Sequence, residues 1–489
     1  MNMKIYLNPS YALKKEHDCV LLLGKSGIYS LATDANLSFT GVIHPLHAII
    51  LSFIKGDEEN NTVKKISQFL KVDETLVKKF IHKLLDNPLD IGFNYNGYTI
   101  GFPKNLITSI EPKIKYSTNY DPYEFLIDEK PCLKYKRHNT VSSITLMLNN
   151  ICTTSCYYCY ANKNNPMNCN IPFQRIKELV DEAKKLNVIS FDLIGGEVFL
   201  YPYWHELIKY LINNGFFPFV STKKILTDNE IEKFSELNLP LQISLDSLLH
   251  STLYKTLKVN LNYVEEMKDM ILKLEKKGIK IAIHTVLNQY NTTIEDMQSL
   301  FIFLKNKKNI IYWKPDIAND SIYVNHKIKG SITPTNQQLE NLYKYFKDIS
   351  KKSDLSIKYE GIEPPSKNNE INNDLKEKLN LFLNRAYCAG NFSQLFILPD
   401  GNVTICEELY WHKKFIIGNV KENSLDSIWN SDKALSLYNI KQKNISPNSK
   451  CHNCKIFTQC RSEKQICYRD IIRKYGVENW DLPDINCPI

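Results

Sequence analysis

Two features are absent from this chain of 489 residues, and each absence excludes a class of protein. No apolar run reaches the roughly 20 residues that a membrane-spanning helix needs. The start, Met1-Asn-Met-Lys-Ile, is not followed by the apolar segment that a secretion signal carries behind its basic residues. We therefore expect a cytoplasmic protein that works without a membrane partner.

Arginine is also missing from the first part of the chain. None occurs before Arg137, although the net charge is +9. Because arginine makes the commonest specific contact with bases, this disfavours an N-terminal domain that reads DNA. A mildly basic surface suits an acidic peptide at least as well as a nucleic acid. We therefore expect no nucleic-acid partner.

What the chain does contain is 13 cysteines, seven of them from Cys388 to Cys487. Without a secretion signal they indicate a reducing compartment, where thiols act as ligands rather than in disulfides. Three stand together in Cys152-Thr-Thr-Ser-Cys156-Tyr-Tyr-Cys159. Thiolates suit zinc or iron–sulfur clusters. Three of them in one loop leave one iron of a four-iron cluster open for a small molecule, whereas structural zinc needs a fourth ligand.

With Tyr158 directly before the last cysteine, this loop resembles the cluster loop of the radical S-adenosylmethionine (SAM) enzymes. The resemblance implies that Cys152, Cys156 and Cys159 hold a 4Fe–4S cluster, and that Tyr158 lies beside the bound SAM. On the loop alone, a zinc site and three buried thiols remain the alternatives.

From residue 143 to residue 351, strand-like runs alternate with segments of helical periodicity. Repeated strand–helix units imply a parallel sheet with right-handed crossovers. About six units are too few for an eight-stranded barrel, so we predict an α/β fold of the open, partial (β/α)6 type. Chemistry in such barrels sits at the carboxyl ends of the strands, and the cluster loop follows the first strand. The predicted strands are Ile144–Leu148, Ile189–Ile194, Phe217–Ser221, Leu241–Leu245, Ile279–Val286 and Ile310–Trp313.

Further motifs follow the predicted strands. In Gly195-Gly196-Glu197 the glycines allow a ligand close to the backbone, and the carboxylate can accept a bond from an ammonium group. The radical SAM resemblance implies that this loop holds the methionine amino group of SAM. It also implies that residues at the ends of the fourth and fifth strands contact the ribose and adenine of SAM. The alternative is that these residues only cap the strands or pack in the core. The residues concerned are Ser244, Asp246, Val286 and Asn288.

One departure from that family concerns the SAM carboxylate. Relatives carry an arginine in a His-Asp-x-x-Arg run after the Ser-Leu-Asp strand, and that arginine pairs with the carboxylate. Here the run is His250-Ser-Thr-Leu-Tyr-Lys255. Lys255 is the candidate substitute, although an ammonium group does not give the bidentate geometry of a guanidinium.

Residues 1–115 are predicted to form a small α+β module. Strand-like runs precede three helical segments, Asp73 stands as an N-cap, and Asn96-Gly97 marks the turn of a closing hairpin, as in a winged helix. Placed before a radical SAM core, the module resembles the precursor-recognition (RRE) domain of ribosomal-peptide (RiPP) maturases, where the substrate leader adds as a strand. A DNA-binding regulator domain is the alternative. The runs are Lys4–Leu7, Val20–Gly24, Ile28–Ala32, Pro45–Ile54, Val63–Leu70, Glu74–Leu85, Ile91–Tyr95 and Tyr98–Phe102.

Two polar stretches separate the predicted domains. Residues 116–142 are a connector rich in aromatic and charged residues, and residues 352–384 are a solvated linker. The final domain then covers residues 385–489.

That final domain holds the second set of cysteines and resembles the SPASM domain of radical SAM peptide maturases. The resemblance implies two auxiliary 4Fe–4S clusters, since cysteine thiolates are the usual cluster ligands. Six residues, Arg461–Ile466, separate two of the cysteines where relatives usually have three. A zinc site on Cys451, Cys454, Cys460 and one more ligand is the alternative. The implied ligands are Cys388, Cys406 and Cys467 for the first cluster, and Cys451, Cys454, Cys460 and Cys487 for the second.

The resemblance implies an oxidoreductase in which SAM yields a 5′-deoxyadenosyl radical that abstracts hydrogen from a bound precursor peptide. A thioether is the first choice of product, because an open iron on the first auxiliary cluster could hold a cysteine sulfur. Carbon–carbon (cyclophane-type) cross-linking, sulfatase-maturase-like oxidation of a protein residue and a zinc-binding winged-helix regulator are the alternatives. An electron donor such as flavodoxin or ferredoxin is the second expected partner.

The proton lost in forming the product bond needs a base. Glu407 is the candidate, by resemblance to the acidic residues at that position in relatives. A surface pair of Glu407 and Glu408 is the alternative interpretation.

Overall fold

The computed structural model describes residues 3–25, 35–112, 120–127, 130–162, 166–318, 321–323, 332–363 and 374–489. The chain divides into two compact units. The first comprises Met1–Ser143, Ala183–Phe191 and Leu211–Pro218, and the second Ile144–Glu182, Asp192–Tyr210 and Phe219–Ile489. Within the described ranges, every helix is too short or too polar to cross a membrane.

The described residues of these units form seventeen strands and fourteen α-helices. The strands are β1 Lys4–Leu7, β2 Tyr11–Lys15, β3 Val20–Gly24, β4 Thr40–Ile43, β5 Lys55–Glu58, β6 Ile91–Tyr95, β7 Tyr98–Phe102, β8 Ile107–Thr108, β9 Ser143–Met147, β10 Ser190–Ile194, β11 Ser221–Thr222, β12 Leu241–Ser244, β13 Ile281–Leu287, β14 Ile310–Ile317, β15 Gln394–Ile397, β16 Asn402–Thr404 and β17 Ile416–Asn419. The helices are α1 Pro45–Ser52, α2 Glu59–Leu70, α3 Glu74–Leu84, α4 Phe173–Lys185, α5 Trp204–Asn213, α6 Asp228–Ser235, α7 His250–Leu257, α8 Tyr263–Lys276, α9 Ile294–Leu304, α10 Asn336–Ile349, α11 Leu375–Leu383, α12 Leu425–Trp429, α13 Asp432–Tyr438 and α14 Tyr468–Tyr475.

The first unit contains the element order predicted for a winged helix. Helices α1, α2 and α3 are followed by the hairpin of β6 and β7, and Asp73 caps α3 by accepting a bond from Thr75 N at 2.7 Å. Asn96 and Gly97 adopt the positive φ angles, 49° and 82°, that a tight hairpin turn requires. Strands β2, β4, β5 and β8 were not predicted, and the predicted strand Ile28–Ala32 lies outside the described residues.

Antiparallel pairing organises the first unit. Strands β2, β3 and β4 form one sheet, and β5, β1 and β8 form another. Leu22 of β3 and Ile49 of α1 are both fully buried in the core that the sheets share with the helices. The helices thus bury their apolar stripes against the sheets, as their periodicity predicts.

Strands overlap all six predicted for the partial barrel and lie in two sheets, although the predicted strand Phe217–Ser221 is reduced to Ser221–Thr222. Strands β11, β12, β13 and β14 are parallel neighbours, whereas β9 and β10 belong to a five-stranded sheet. Only two residues of the third strand, Ser221 and Thr222, pair with β12. Beside it, the Asp192 carboxylate accepts a bond from Phe219 N at 3.0 Å. A carboxylate therefore takes the place of a backbone acceptor where the two sheets meet.

The cysteine-rich segment continues the barrel sheet. The order β10-β9-β15-β16-β17 places β15 directly beside the strand that precedes the cluster loop. The Gln394 side chain on β15 donates to Thr145 Oγ1 on β9 at 3.2 Å. Residues on either side of the polar linker therefore lie in one compact unit.

Candidate active site

The loop after β9 carries the three clustered cysteines and is fixed by α7. Its backbone N–H groups at Ser155 and Tyr157 donate to the carbonyl oxygens of Leu257 and Thr256, at 2.9 and 3.0 Å. These carbonyls belong to the last turn of α7, which leaves its terminal acceptors without partners inside the helix. The loop therefore satisfies the helix end while the helix holds the loop in place.

One hydroxyl ties two of the three thiols together. Thr154 Oγ1 lies 3.5 Å from Cys152 Sγ and 3.4 Å from Cys156 Sγ. Burial raises the pKa of the Cys156 thiol, and the nearby Lys223 ammonium opposes that effect. A thiol must lose its proton to bind metal, so a cation beside it favours the ligating form.

The donor set fits a cluster better than a single ion. Within the described ranges, His, Cys, Asp and Glu side chains do not converge in groups of three on one point as the ligands of one metal ion would. In a four-iron cluster each thiolate binds its own iron, so the sulfurs can stay apart. Cys152, Cys156 and Cys159 are all half-buried and free of disulfides.

The Gly195-Gly196-Glu197 segment packs directly on the start of the cluster loop. A Cβ at Gly196 would lie 2.1 Å from the carbonyl oxygen of Ile151, and one at Gly195 would lie 3.2 Å from that of Asn149. The glycine at position 196 is therefore required by the neighbouring backbone. The Asn149 side chain joins the segments: its amide donates to Glu197 O at 2.8 Å, and its Oδ1 accepts from Ile151 N and Glu197 N.

Glu197 is buried, with 2% of its surface exposed. Its carboxylate accepts bonds from Thr222 Oγ1 at 2.9 Å and from Phe199 N at 3.2 Å. Burial raises the pKa of Glu197, and these hydrogen bonds act in the opposite direction. The carboxylate thus lies at the predicted strand end, held there by two donors of its own chain.

Asp246 is the centre of a buried network behind the cluster loop. Its Oδ2 accepts from the Tyr158 hydroxyl and, at 3.1 Å, from Lys223 Nζ, while its Oδ1 accepts from Val286 N at 2.9 Å. The Lys223 ammonium also lies 5.6 Å from the centre of the Tyr158 ring. One carboxylate therefore joins the cluster loop to the ends of β11, β12 and β13.

Two lysines are placed very differently with respect to this network. The Lys223 side chain is only 14% exposed. Burial alone would lower the pKa of Lys223, but the Asp246 carboxylate and Cys156 outweigh this effect, so the pKa of Lys223 is raised. Lys255, the predicted partner of the SAM carboxylate, is exposed near the end of α7. Its Nζ lies 5.9 Å from the centre of the Tyr290 ring. Besides Lys255, the structure therefore contains a second candidate cation, the largely buried Lys223 ammonium, beside the cluster loop.

The other predicted SAM contacts lie at strand ends, as expected. Ser244 is the last residue of β12 and is buried, and Val286 lies near the end of β13. Asn288 is fully buried; its Oδ1 accepts from Tyr290 N at 3.0 Å and its amide donates to Val286 O at 3.1 Å. Here Asn288 shapes the turn after β13.

Three of the distant cysteines line one cavity. Cys388, Cys406 and Cys467 surround it together with Ile405 and Tyr468. Burial raises the pKa of both Cys388 and Cys467, and that of Cys406 to about 12. A fourth cysteine is absent from the lining of this cavity, all of which lies in the described range 374–489. The structure thus groups the three residues predicted for the first auxiliary cluster.

The other four cysteines form a second group. Cys451 and Cys454 are close enough to Cys487 to interact electrostatically with its thiol, and Cys487 interacts in the same way with Cys460. The backbone carbonyls of Cys451 and Cys454 both accept from Gln442 Nε2, at 3.0 and 2.9 Å. This grouping is the one predicted for the second auxiliary cluster.

Glu407 links the cysteine cavity to the cluster loop. The Tyr160 hydroxyl, one residue beyond Cys159, donates to Glu407 Oε2 at 3.5 Å. Burial and then the Glu408 carboxylate raise the pKa of Glu407 to about 7. Glu408 is itself buried and accepts from Arg469 Nη1 at 2.5 Å. Glu407 is half-buried, so the two carboxylates do not form a fully exposed pair.

Several residues of the site carry no sequence signal that marks them. Asn149, Tyr160, Thr222 and Lys223 act through contacts with distant segments, and none of them belongs to a predicted motif. For Asn149, Thr222 and Lys223 the one clue is their position at the carboxyl ends of β9 and β11, because polar residues at the carboxyl ends of barrel strands are candidates for function.

Comparison with known families agrees with this geometry. Residues 146–304 match the radical SAM superfamily, and residues 388–455 match SPASM, an iron–sulfur cluster-binding domain. The chain therefore carries a radical SAM domain followed by a SPASM domain, as predicted. Its cofactors are 4Fe–4S clusters and SAM. These matches favour the radical SAM interpretation over the zinc-binding regulator, which was an alternative.

The chain is also similar to individual proteins. It is 27% identical over 153 residues to the sporulation killing factor maturation protein SkfB of Bacillus subtilis (strain 168), a match that covers 30% of this chain and 36% of that protein. Crystal structures of Streptococcus suis SuiB bound to SAM and to its precursor peptide SuiA match 99% of this chain and 100% of theirs, with a TM-score of 0.61. At 14% and 15% identity, these two matches show the fold alone.

Proposed function

We propose that the protein is a peptide maturase: it binds a ribosomally made precursor peptide and installs a thioether between a cysteine sulfur and a carbon. The relatives support a peptide substrate, since SkfB is named a maturation protein and SuiB has been crystallised with a precursor peptide. The first unit supports leader binding, because it combines sheets with the helix–hairpin order of a winged helix. The leader would add as a strand to a sheet edge there.

The ligand assignments follow the two cysteine groups and the cluster loop. Cys152, Cys156 and Cys159 would hold the SAM-binding cluster, Cys388, Cys406 and Cys467 the first auxiliary cluster, and Cys451, Cys454, Cys460 and Cys487 the second. When bound, the cluster and SAM supply a 5′-deoxyadenosyl radical that abstracts hydrogen from the peptide. The protein's own residues position the peptide, exclude water and accept the proton.

The observation that carries the thioether proposal is the contact between Tyr160 and Glu407. It brings the SAM-binding loop next to a cavity lined by only three cysteines in the described part of the chain. Cys388, Cys406 and Cys467 would hold a cluster there with one iron left without a protein ligand, a position that a substrate thiolate could take. Glu407 lies between the two places and is positioned to take the proton lost when the new bond forms.

The electrons must balance as well. An electron enters when SAM is cleaved, and the substrate radical loses one electron and one proton as the product bond closes. We propose that an oxidised auxiliary cluster accepts that electron and that a flavodoxin or ferredoxin is the external donor. The charge of +9 favours association with such acidic proteins.

The test uses the full chain, purified and reconstituted without oxygen, with SAM, a reductant and a cysteine-containing precursor encoded near the gene. We expect about twelve irons per chain, about four of which are lost in a Cys152/Cys156/Cys159→Ala variant. The peptide should lose two hydrogen atoms and its cysteine should resist alkylation. If the cysteine of the product can still be alkylated, a carbon–carbon cross-link is favoured instead. An iron content of about eight per chain would mean that one of the two proposed auxiliary clusters does not form.

The role of the first unit has its own test. Adding the isolated leader peptide should inhibit modification of the full precursor by competition. Equal rates on precursors with and without the leader would contradict leader binding. That outcome would favour oxidation of a residue in a folded protein instead.

A further inference from the structure

Two arginines direct N–H groups at the sulfurs of the second cysteine group. Arg385 Nη2 lies 3.5 Å from Cys460 Sγ, and Arg461 Nη2 lies 3.4 Å from Cys451 Sγ. Both distances meet the range for a hydrogen bond to sulfur. Two different ligands of the same predicted cluster thus receive a bond from a cation.

Both guanidinium groups are held by neutral partners. Arg385 donates to the carbonyl oxygens of Phe382, Cys460 and Gln465, at 2.8, 2.9 and 2.6 Å. Arg461 is only 2% exposed and donates to the carbonyl oxygens of Asp481, at 3.0 Å, and Leu482. Carbonyl groups fix a guanidinium without neutralising it. Each positive charge therefore remains available to the adjacent sulfur.

The first cysteine group has a different electrostatic environment. Its nearby cation, Arg469, is paired with Glu408 at 2.5 Å and with Asp470 at 3.2 Å. Glu407 follows Cys406 directly, so carboxylates outnumber cations around this cavity. The second group also has an acidic neighbour, Asp484 near Cys487, but it faces two arginines.

We propose that Arg385 and Arg461 raise the reduction potential of the second auxiliary cluster above that of the first. The proposal rests on the cysteine ligation proposed above. Reduction adds one negative charge to a cluster, and N–H···S bonds from cations stabilise that charge. Burial strengthens the effect, because Arg461 is largely removed from water, which would otherwise screen its charge.

The order of potentials defines a direction for the electron. The electron lost by the substrate radical would enter at the cysteine group beside Glu407, and the second group, holding a cluster oxidised beforehand, would supply the better acceptor. The proton would go separately to Glu407. The electron given up by the substrate would thus offset the one that the external donor supplied for SAM cleavage. Arg385 and Arg461 are thus positioning and tuning residues.

The arginines also explain the unusual spacing before Cys467. Arg461 is the first of the six residues between Cys460 and Cys467, and it lies in a π-helical turn, Thr458–Glu463. Gln465, later in the same segment, supplies the carbonyl that accepts the strongest Arg385 bond. The longer segment therefore holds one arginine at a cysteine and provides an anchor for the other.

The test is a redox titration of the reconstituted full-length enzyme, followed by electron paramagnetic resonance. The signal lost in Cys454→Ala reports the second auxiliary cluster, and the signal lost in Cys467→Ala reports the first. We expect the former to appear at the higher potential and to move to lower potential in Arg385→Gln and in Arg461→Gln. Arg461→Lys, which keeps the charge, should move it less. Lys443→Gln removes an exposed charge from the same domain and should leave it in place.

The possible outcomes separate this inference from the ligation on which it depends. Full iron content in Cys454→Ala would refute the ligation itself. Normal iron with an unchanged potential in both glutamine variants, or a higher potential for the first cluster, would overturn the inference alone. Loss of about four irons from both glutamine variants would also overturn it, because the arginines would then be needed to hold the cluster rather than to tune it.

Discussion

The Tyr160 hydroxyl donates a hydrogen bond to Glu407 Oε2 at 3.5 Å, across 247 residues of sequence. Tyr160 follows Cys159 of the predicted cluster loop, and Glu407 follows Cys406 of the SPASM segment. The contact depends on the sheet, since β15 and β16 extend the same sheet as β9. The predicted cluster loop therefore lies next to the cavity lined by Cys388, Cys406 and Cys467.

The first prediction follows from that contact. Glu407→Gln should lower cross-link formation by about 10²- to 10⁴-fold, because an amide cannot accept the proton. Cleavage of SAM to 5′-deoxyadenosine should continue at a similar rate, since it precedes the proton transfer. Mass spectrometry of the peptide and chromatography of 5′-deoxyadenosine measure the two steps separately.

Glu422→Gln is the matched control, because it removes an exposed carboxylate of the same domain. Tyr160→Phe should lower cross-link formation less than Glu407→Gln does, as it removes only the donor that orients the base. Equal loss of SAM cleavage and cross-linking in Glu407→Gln would show that the residue supports the cluster or the fold instead.

The second prediction concerns Gly196. A methyl group there would lie 2.1 Å from the Ile151 carbonyl oxygen, so Gly196→Ala must displace the start of the cluster loop. Backbone cannot yield as a flexible side chain can, and overpacking costs about 1–3 kcal/mol or more. We expect lower iron content after reconstitution and weaker SAM binding, measured by iron analysis and equilibrium dialysis.

Gly195→Ala provides a graded comparison at the neighbouring position. Its methyl group would lie 3.2 Å from the nearest atom, so a small shift suffices and the loss of iron should be smaller. Normal iron and normal SAM affinity in Gly196→Ala would mean that this segment moves without disturbing the cluster loop.

Local patterns were enough to predict the elements that depend on near neighbours in sequence. Helix α3 was expected to begin after Asp73, and it does, because an aspartate at that position caps the first free N–H groups. The hairpin of β6 and β7 was marked by Asn96 and Gly97, which tolerate positive φ. The three helices of the first unit were found because their apolar residues recur at helical spacing.

Contacts between distant segments were not predictable in the same way. The pairing of β15 with β9 joins residues about 250 positions apart, and no local pattern specifies such a partner. The sequence predicted a cation at Lys255, in the run that carries an arginine in relatives. In the structure, Lys223 at the end of β11 is the lysine that bonds to Asp246 beside the cluster loop. The two auxiliary cysteine groups came from the resemblance to the SPASM domain, because a set of ligands leaves a recognisable pattern along the chain that a single contact does not.

The third prediction compares those two lysines. Lys223→Gln removes the ammonium group that donates to Asp246 beside the cluster loop, and a charge-assisted hydrogen bond of this kind is worth roughly 1.5–3 kcal/mol. We therefore expect SAM binding to weaken about tenfold or more. Lys255→Gln should weaken it less, since Lys255 is exposed and water screens its charge. Equilibrium dialysis of reconstituted enzyme measures both affinities. A larger effect of Lys255→Gln would restore Lys255 as the partner of the SAM carboxylate.

The last prediction concerns the pH dependence of the first unit. The His47 ring stacks on Phe80 with centroids 5.0 Å apart and meets Phe102 at 5.2 Å. Burial and then the neighbouring His44 lower the pKa of His47 from 6.5 to about 4. Between these values the unfolded chain binds more protons than the folded one. The free energy of unfolding should therefore fall as the pH is lowered from 6.5 to 4, by on the order of 2 kcal/mol.

Hydrogen exchange of the α1 amides, corrected for the intrinsic effect of pH, measures this stability in the full chain. His47→Phe keeps an aromatic ring against Phe80 and cannot bind a proton, so its exchange should show less dependence on pH than the wild type. His17→Gln removes an exposed histidine of the same unit and should keep the wild-type dependence. If His47→Phe loses stability in acid as steeply as the wild type, other groups, such as buried carboxylates, govern the acid sensitivity of this unit.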